Sequence, residues 1–356
     1  MGVALRMLAF MVCVMPSTQP GQTSIATWYG CRAGALSLSF DDNSWDRPLE
    51  ASILEEYGFR GTFGVVVGKM PSGYVEKIQS LFLAGHEIAS HSWSHIDLTN
   101  ASETVIHTEV VESKAAIEAL TGAPCVTYIY AYGYWRNGVR DAVTDHYICA
   151  RGAWQWQADN PLGAPVNSAT GGDIYNLTIN PFPEASGEPW ADEVFLECLH
   201  DYVDHVLASN AWGIEMLHNL GQTNTTTTIR EDVLRRHFEE LAAMSDRALW
   251  VAPIGTVAKY YLERHQTQVE QAVTKPNFTV LRLTVGLDPN IYDVPLTLQT
   301  DVPIEWNGGT IAVEQDGMPL QYEMQIQPTS ARLVYDVSPV SSYILVYYEP
   351  LVGHPE

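Results

Sequence analysis

Two adjacent carboxylates, Asp41 and Asp42, follow directly on the apolar run 35–40. Carboxylates at the end of a buried strand are unfavourable unless they are solvated, paired or bound to a metal ion. An isolated Asp-Asp pair is often only the cap of a following helix or loop. The pair therefore has two interpretations, a cap or part of a charged site, and other residues must decide between them.

Two histidines, His91 and His95, have a spacing that suits metal binding. On a helical turn, imidazoles four residues apart lie on one face and can share one ion. His218 closes a further apolar run, 212–217. Each feature is weak alone, because a His-x-x-x-His pair arises easily by chance and a single histidine at a strand end is usually structural.

Between about residues 34 and 268, short apolar runs alternate with amphipathic helical stretches. This pattern is typical of parallel strands joined by crossover helices. Seven runs favour a closed or nearly closed β/α barrel over an open sheet. The runs are 35–40, 62–67, 86–90, 126–131, 147–150, 213–217 and 249–252, and the helical stretches include 48–57, 74–83, 103–120, 191–208 and 230–244.

The carboxylates and the histidines all lie where a predicted barrel strand ends, and functional side chains gather at that rim of such barrels. Two histidines and one carboxylate can bind a divalent ion and leave coordination positions for water and substrate, as in a hydrolytic metal centre. The remaining Asp and the remaining His are the two groups needed for a general base and a general acid.

The motifs resemble those of the polysaccharide deacetylases with a NodB-homology domain, carbohydrate esterase family four. The first motif is matched by residues 39–42 (SFDD) and the second by residues 91–95 (HSWSH). Residues 128–133 (YIYAYG) resemble the third motif, and residues 217–218 (LH) resemble the last. The resemblance covers about residues 34–265. It implies a deformed (β/α)7 barrel of NodB-homology type and hydrolysis of an acetyl group from a carbohydrate.

Carried over by position, the resemblance assigns a divalent ion to three side chains, Asp42, His91 and His95. Zn²⁺ is the first expectation, with Co²⁺ or Ni²⁺ as alternatives. Asp41 would be the general base. His218 would be the acid that protonates the leaving nitrogen or oxygen, and a backbone amide near Tyr132 would help to stabilise the oxyanion.

The sequence departs from the family pattern at the third motif and beyond. Ala131 stands where a proline is usual, and Ile129 stands where many members have an arginine that pairs with the catalytic aspartate. Arg151, after the next strand, could fill that role or could form a surface ion pair. The usual Asp-Trp motif that orients the acid histidine is not evident, and Asp159 and Asp173 are both candidates for its role.

The loops at this rim also carry candidates for substrate contact, namely Tyr132, Trp135, Trp154 and Arg151. Aromatic rings can stack on sugar faces, but packing within the fold is an equally ordinary use for each of them. The partner expected at the site is an acetylated carbohydrate.

The sequence pattern changes after about residue 268. Residues 277–352 alternate in the manner of short strands separated by turn sequences and contain no convincing helix, which predicts a small antiparallel β-sandwich. We therefore assign residues 23–268 to the barrel and 277–352 to an accessory domain. Because no candidate ligand or base lies beyond residue 265 except His354, we expect that domain to be dispensable for the chemistry.

The N-terminus has the pattern of an export signal. Arg6 precedes an apolar run, 7–15, that is too short to span a bilayer and is followed by a segment rich in helix breakers. We interpret residues 1–22 as a signal peptide of a secreted, periplasmic or extracellular protein; a disordered or partly buried start is the alternative. The four cysteines that follow the predicted signal peptide allow three disulfide connectivities, and a Cys125–Cys149 disulfide is favoured.

The formal net charge is −23, from 42 acidic and 19 basic side chains. Such a surface disfavours nucleic acid and anionic membrane surfaces as partners, and no segment is long enough to span a membrane.

The function predicted is removal of an N-acetyl group from an amino-sugar polymer or oligomer. An O-acetyl esterase of the acetylxylan type on the same site, or a decayed carbohydrate-binding protein, are the alternatives.

Overall fold

The computed structural model describes residues 22–153, 166–183, 188–245 and 248–350. Apart from residue 22, the predicted signal peptide lies outside these ranges, as do Trp154 and Asp159. Within the described ranges, no helix is long and apolar enough to cross a membrane.

The chain starts with a short strand, β1 (Thr23–Ile25), and then builds a curled seven-stranded parallel sheet. Its strands are β2 (Gly34–Phe40), β3 (Thr62–Val65), β4 (Glu87–Ser90), β5 (Thr127–Ile129), β6 (Cys149–Arg151), β7 (Trp212–Leu217) and β10 (Leu249–Val251). The order is β10-β2-β3-β4-β5-β6, and β7 also pairs with β2. Each strand coincides with one of the predicted apolar runs, and the predicted deformed (β/α)7 barrel is confirmed.

Helices connect these strands and cover the outside of the sheet. They are α1 (Arg47–Glu56), α2 (Tyr74–Leu83), α3 (Glu103–His107), α4 (Ser113–Thr121), α5 (Asn137–His146), α6 (Asp192–Ala208), α7 (Glu231–Ser245) and α8 (Ile254–Gln266). A π-helical segment, Thr108–Glu112, joins α3 to α4. The sequence pattern does not predict α5, because only Val139 and Val143 of this helix are buried and they give too little periodicity.

The strand register brings the ends of the motif-bearing strands to one rim. Phe40, the last residue of β2, pairs with Leu217, the last residue of β7. Ser90, which ends β4, pairs with Tyr128 of β5. The residues that follow β2, β4, β5 and β7 therefore leave the barrel side by side, as parallel strands require.

The edges formed by β6 and β7 are joined by the chain that follows β6. On one side, the Leu177 amide donates to the Ala150 carbonyl and the Gly152 amide donates to the Leu177 carbonyl. On the other side, the Asn180 amide donates to the Ile214 carbonyl. This segment therefore continues the wall of the barrel where the two strands do not pair with each other.

The C-terminal part forms two antiparallel sheets, as the predicted sandwich requires. One contains β1, β13 (Leu296–Val302), β17 (Ala331–Val337) and β16 (Tyr322–Ile326), and the other contains β11 (Thr267–Lys275), β12 (Phe278–Val285), β18 (Ser342–Pro350), β14 (Gly309–Gln315) and β15 (Met318–Pro319). The short strands β8 (Asn219–Gly221) and β9 (Thr228–Arg230) pair beside the barrel.

The sandwich takes in two segments that lie outside the expected range 277–352. β1 pairs with β13, and β11 continues directly from the end of α8 to pair with β12. Barrel and sandwich also share a hydrophobic core, in which Tyr260 of α8 is fully buried and packs against Trp250. The Tyr260 hydroxyl donates to the Ala26 carbonyl at 2.9 Å.

The cysteines of the described residues are free thiols, so the predicted Cys125–Cys149 disulfide is wrong. Cys149 is in register with Thr127 of the neighbouring strand, and Cys125 lies two residues before Thr127. Two residues span about 6.6 Å along a strand. Added to the spacing between strands, this offset is too large for a disulfide.

Candidate active site

Asp42, His91 and His95 converge at the rim where β2 and β4 end. The His91 Nε2 lies 3.7 Å from the Asp42 Oδ1, and the His95 Nε2 lies 3.6 Å from the same oxygen. All three ligand atoms lie within 4.8 Å of one another. Donors that share a tetrahedral Zn²⁺ are separated by about 3.4 Å, so the spacing of this donor set suits one divalent ion.

The orientation of His91 also suits metal binding. Its Nδ1 lies 3.0 Å from the Ile129 carbonyl oxygen, which directs the Nε2 towards Asp42. Burial lowers the pKa of His91, an effect that the Arg151 charge reinforces and the Asp41 charge opposes. A neutral imidazole whose second nitrogen is held by a backbone carbonyl is the usual form of a histidine ligand.

The two histidines meet on one side of a loop and not on a helical turn, so the predicted helical geometry is wrong. Ser92 and His95 both have left-handed backbone conformations, with φ of 66° and 52°. Asp42 and Tyr132, at the same rim, are left-handed as well, with φ of 71° and 58°. Unfavourable backbone conformations of this kind are often concentrated at functional sites.

Glu109, on the π-helical segment Thr108–Glu112, holds the histidine loop from behind. Its Oε2 accepts hydrogen bonds from the Trp93 amide at 3.0 Å and the Ser94 amide at 2.8 Å, and its Oε1 accepts one from the Ser94 hydroxyl. Glu109 is not among the site residues predicted from the sequence. The available signal was a glutamate on the apolar face of a predicted helix, three residues after the buried Ile106.

Asp41 is buried and paired with Arg151. Both carboxylate oxygens of Asp41 accept hydrogen bonds from the Arg151 Nη2, and Arg151 is only 1% exposed. The sequence allowed Arg151 to pair with Asp41 or to form a surface ion pair. In the structure it pairs with Asp41. Its guanidinium donates hydrogen bonds to Asp41 and, at 3.0 Å, to the Gly152 carbonyl. The structure therefore gives no support to the prediction that Arg151 contacts the substrate.

The environment keeps Asp41 ionised. Burial raises the pKa of its carboxyl, but the Arg151 charge and the hydrogen bonds from Arg151 outweigh burial and hold the pKa well below its usual range. Asp41 is thus a carboxylate at neutral pH, the protonation state in which it can accept a proton.

Ile129 occupies the position at which the family resemblance predicts an arginine. A side chain added at Gly64 would come within 2.9 Å of the Ile129 Cδ1 and 3.5 Å of the Asp41 Oδ1. The apolar Ile129 packs against this glycine, and the cation reaches Asp41 from β6 instead of β5.

His218 follows β7 and lies beside the Asp41 loop, since the Asp41 amide donates to the Leu217 carbonyl at 2.9 Å. The His218 Nδ1 is buried and has no hydrogen-bond partner among the described residues. Asp173, one candidate for orienting this histidine, pairs with Arg140 at 2.6 Å. The other candidate, Asp159, lies outside the described residues.

Residues 31–148 match the family model described as polysaccharide deacetylase. The resemblance to this family that the motifs predict is confirmed over these residues, about a third of the chain. Over 335 residues, 90% of the chain, it is 24% identical to a gellan lyase from a Bacillus species and spans 13% of that protein. Over 133 residues, 36% of the chain, it is 29% identical to a chitooligosaccharide deacetylase from Sinorhizobium fredii, of which it spans 60%.

The chain is also similar to two further proteins. It is 33% identical over 104 residues to chitin deacetylase 1 from Cryptococcus neoformans, covering 29% of this chain and 22% of that protein. A solved Mycobacterium smegmatis structure assigned to the polysaccharide deacetylases superposes with a TM-score of 0.50 at 19% identity, covering 73% of this chain and 99% of that one. This structural likeness supports the fold.

The aromatic side chains predicted to contact substrate divide into an exposed ring and a packed ring. Tyr132 is 56% exposed, and its ring centroid lies 4.5 Å from that of His95, so it borders the candidate metal site. Trp135 packs within the fold: its indole N–H donates to the Asn176 Oδ1 at 3.0 Å, and the Arg140 guanidinium covers its ring. Trp154 lies outside the described residues.

Proposed function

We propose that the chain is a metal-dependent carbohydrate deacetylase that acts on an N-acetylated amino sugar. The convergence of Asp42, His91 and His95 beside an ionised Asp41 is the observation that carries the proposal. A divalent ion held by these three side chains would supply a Lewis acid that polarises the acetyl carbonyl and lowers the pKa of the attacking water.

Asp41 is the proposed general base. Its carboxylate is held in one orientation by Arg151 and is ionised before the reaction, so it can accept the proton of the attacking water. Ser39 donates a further, longer hydrogen bond to the Asp41 Oδ1 at 3.4 Å. These contacts place the base before the substrate arrives, which reduces the cost of reorganisation during the reaction.

His218 is the proposed general acid. It follows β7, which pairs with β2, the strand that precedes Asp41, so a substrate placed between the two side chains would contact both. Protonation of the leaving nitrogen is needed for an amide, because an unprotonated amine is a poor leaving group. The backbone amide of Tyr132, whose ring contacts His95, is the proposed donor for the developing oxyanion.

The amide is favoured over the ester because the relatives named chitooligosaccharide deacetylase or chitin deacetylase act on N-acetylated sugars by name. The negative charge of the chain also suits a neutral substrate. An exported protein, as the pattern of residues 1–22 suggests, would meet such polymers outside the cytoplasm.

The proposal is tested by acetate release from N-acetylated chitooligosaccharides and from O-acetylated xylooligosaccharides, measured side by side with the zinc-loaded protein. We expect faster release from the N-acetylated substrate. Faster release from the xylooligosaccharide would replace the amide with the ester. Binding of either oligosaccharide with no release of acetate would instead indicate a decayed carbohydrate-binding protein.

A further inference from the structure

Arg47, in the first turn of α1, is a buried cation that binds backbone carbonyls at the carboxyl ends of two strands. It is 1% exposed. Its Nη2 donates to the carbonyl oxygens of Asp41 and, at 2.9 Å, of Asp42. Its Nη1 donates to the His218 carbonyl oxygen at 2.5 Å. One guanidinium thus contacts the main chain of the proposed base, a proposed ligand and the proposed acid.

Glu50, one helical turn further along α1, completes the arrangement. It is fully buried, accepts a hydrogen bond from the Arg47 Nη1, and accepts another from the Leu220 amide at 3.3 Å. The rings of Phe40 and Phe63 each lie 5.8 Å from the Arg47 guanidinium carbon. The pair therefore connects the loop after β2 with the loop after β7 through polar contacts inside an apolar layer.

These contacts extend the connection between the two loops beyond the strands. The paired positions of β2 and β7 end at Phe40 and Leu217, and the Asp41 amide then donates to the Leu217 carbonyl. A buried ion pair is often no more stabilising than apolar residues of similar volume, because both charges must be desolvated. Fold stability alone therefore gives little reason for Arg47 and Glu50.

We propose that Arg47, supported by Glu50, is a positioning residue that fixes the distance between the loop of Asp41 and Asp42 and the loop of His218. This inference rests on the proposed deacetylase function, because it assigns these loops to base and acid. Arg47 acts through the backbone of the three residues and does not itself touch the substrate.

The test uses the full chain with the double substitution Arg47→Met and Glu50→Leu, which removes both charges and leaves no unpaired buried ion. Arg47→Lys is the second variant, because its single ammonium keeps the charge but cannot reproduce the planar fork of donors. Arg60→Met is the matched control. Arg60 also binds backbone carbonyls, those of Phe59 and Ala84, but precedes β3 at the opposite end of the barrel.

Hydrogen–deuterium exchange of the metal-free proteins gives a readout that does not depend on activity. We expect exchange in residues 41–46 and 218–222 to be at least about tenfold faster in the double variant and in Arg47→Lys, with the other barrel strands unchanged. Arg60→Met should leave both segments as in the wild type. Unchanged exchange at both segments in the two Arg47 variants would overturn the proposal.

Turnover and zinc binding give the second readout. We expect the double variant to keep the wild-type melting temperature within a few degrees and to keep its bound zinc. Its kcat for an N-acetylated chitooligosaccharide should fall about 10²-fold, the scale of a misplacement of about 1 Å. The loss should be smaller for an activated aryl acetate, which needs little help from the acid.

An unaltered kcat in the double variant would overturn the proposal. Equal losses for amide and aryl acetate together with lost zinc would also overturn it, since they would indicate general disruption of the site. If the wild type itself released no acetate, the deacetylase function would fail. The exchange measurement would then judge by itself whether Arg47 fixes the two loops.

Discussion

At the scale of single residues, two adjacent aspartates have different proposed roles, Asp42 as a metal ligand and Asp41 as the general base. Asp42 faces the histidines and has a half-exposed side chain, whereas Asp41 is buried against Arg151. The same residue type can take both roles because the neighbouring charges differ. Arg151 keeps Asp41 ionised without taking part in the candidate ligand set.

Replacing Asp41 by Asn should lower kcat for deacetylation about 10²-fold or more, the usual effect of losing a general base. Zinc binding should persist, because Asp42, His91 and His95 remain. The free energy of unfolding should fall by about 3 kcal/mol, since the buried Arg151 loses its counter-ion. Kinetics, metal analysis and urea unfolding measure the three effects.

The double variant Asp41→Asn with Arg151→Met is the matched control for this experiment. It should recover most of the stability, because the unpaired buried charge is gone, and should stay inactive. If Asp41→Asn retained wild-type kcat, or if it lost the bound zinc, the role of Asp41 would be assigned wrongly.

Replacing His218 by Ala should reduce turnover of the N-acetyl amide much more than turnover of an activated aryl acetate. The amine needs a proton to leave, whereas the aryl alcohol is a good leaving group without one. Comparing kcat/KM for the two substrates in wild type and variant measures this difference. Equal losses on both substrates would mean that His218 does not act as the acid.

At the scale of elements, the histidine loop obtains its shape from a neighbouring helix. The carboxylate of Glu109 accepts hydrogen bonds from two consecutive amides of the loop, those of Trp93 and Ser94. The π-helical segment positions this carboxylate next to the loop. Replacing groups that hold metal ligands from behind typically lowers metal affinity or activity by about 10- to 100-fold.

Replacing Glu109 by Gln should weaken zinc binding about tenfold or more, the usual effect of losing a group that supports a ligand. A neutral amide makes weaker hydrogen bonds to the Trp93 and Ser94 amides than a carboxylate does. Calorimetric titration of the metal-free protein measures the affinity. Glu112→Gln, at a half-exposed position on the same segment, is the control and should bind zinc as the wild type does. Equal affinities in the two variants would contradict this role of Glu109.

Most elements were predictable from the sequence because their signals are local. Each barrel strand is a short apolar run between turns, and α2 has the predicted bounds, 74–83. The same signals placed the two aspartates and the three histidines at one rim, whereas the choice of Asp42, His91 and His95 as ligands came from the resemblance of the motifs to a known family. By contrast, the supporting charges Arg47 and Glu109 were missed, because charged residues on helices are usually exposed. The strand β1 has only three residues, too few to show the alternation of polar and apolar residues that identifies a strand. Its pairing with β13 depends on the tertiary fold.

At the scale of the whole molecule, barrel and sandwich are less separable than the sequence implied. The N-terminal strand lies in a sandwich sheet, and α8 contributes Tyr260 to the sandwich core. Glu263 of α8 accepts a hydrogen bond from the Val294 amide at 3.1 Å. The accessory sheets carry none of the candidate site residues, yet their removal would expose apolar surface on α8, so dispensability for chemistry does not imply independent folding of the barrel.

The junction should make stability depend on pH through Glu263. Burial raises the pKa of this carboxyl to about 7, above its ordinary value. The folded protein therefore binds more protons than the unfolded chain between about pH 4.5 and 7, and this contribution to stability falls as the pH rises through that window. Glu263→Gln should raise the free energy of unfolding by about 1 to 3 kcal/mol at pH 8 and much less at pH 5.

Urea unfolding at the two pH values measures this effect. Glu270→Gln is the matched control, because Glu270 lies on the exposed surface of β11 and pairs there with Arg282. If Glu263→Gln raised the free energy of unfolding equally at pH 5 and pH 8, the pH dependence could not be assigned to this carboxyl.

We propose that one divalent ion at Asp42, His91 and His95 is required to release acetate from an N-acetylated sugar. The most direct measurement titrates the metal-stripped protein with Zn²⁺ while acetate release from an N-acetylated chitooligosaccharide is followed. The account predicts no release without metal, a rise that reaches its plateau at about one equivalent, and no recovery in the His91→Ala variant. Full acetate release from the wild type after complete removal of metal would contradict the account.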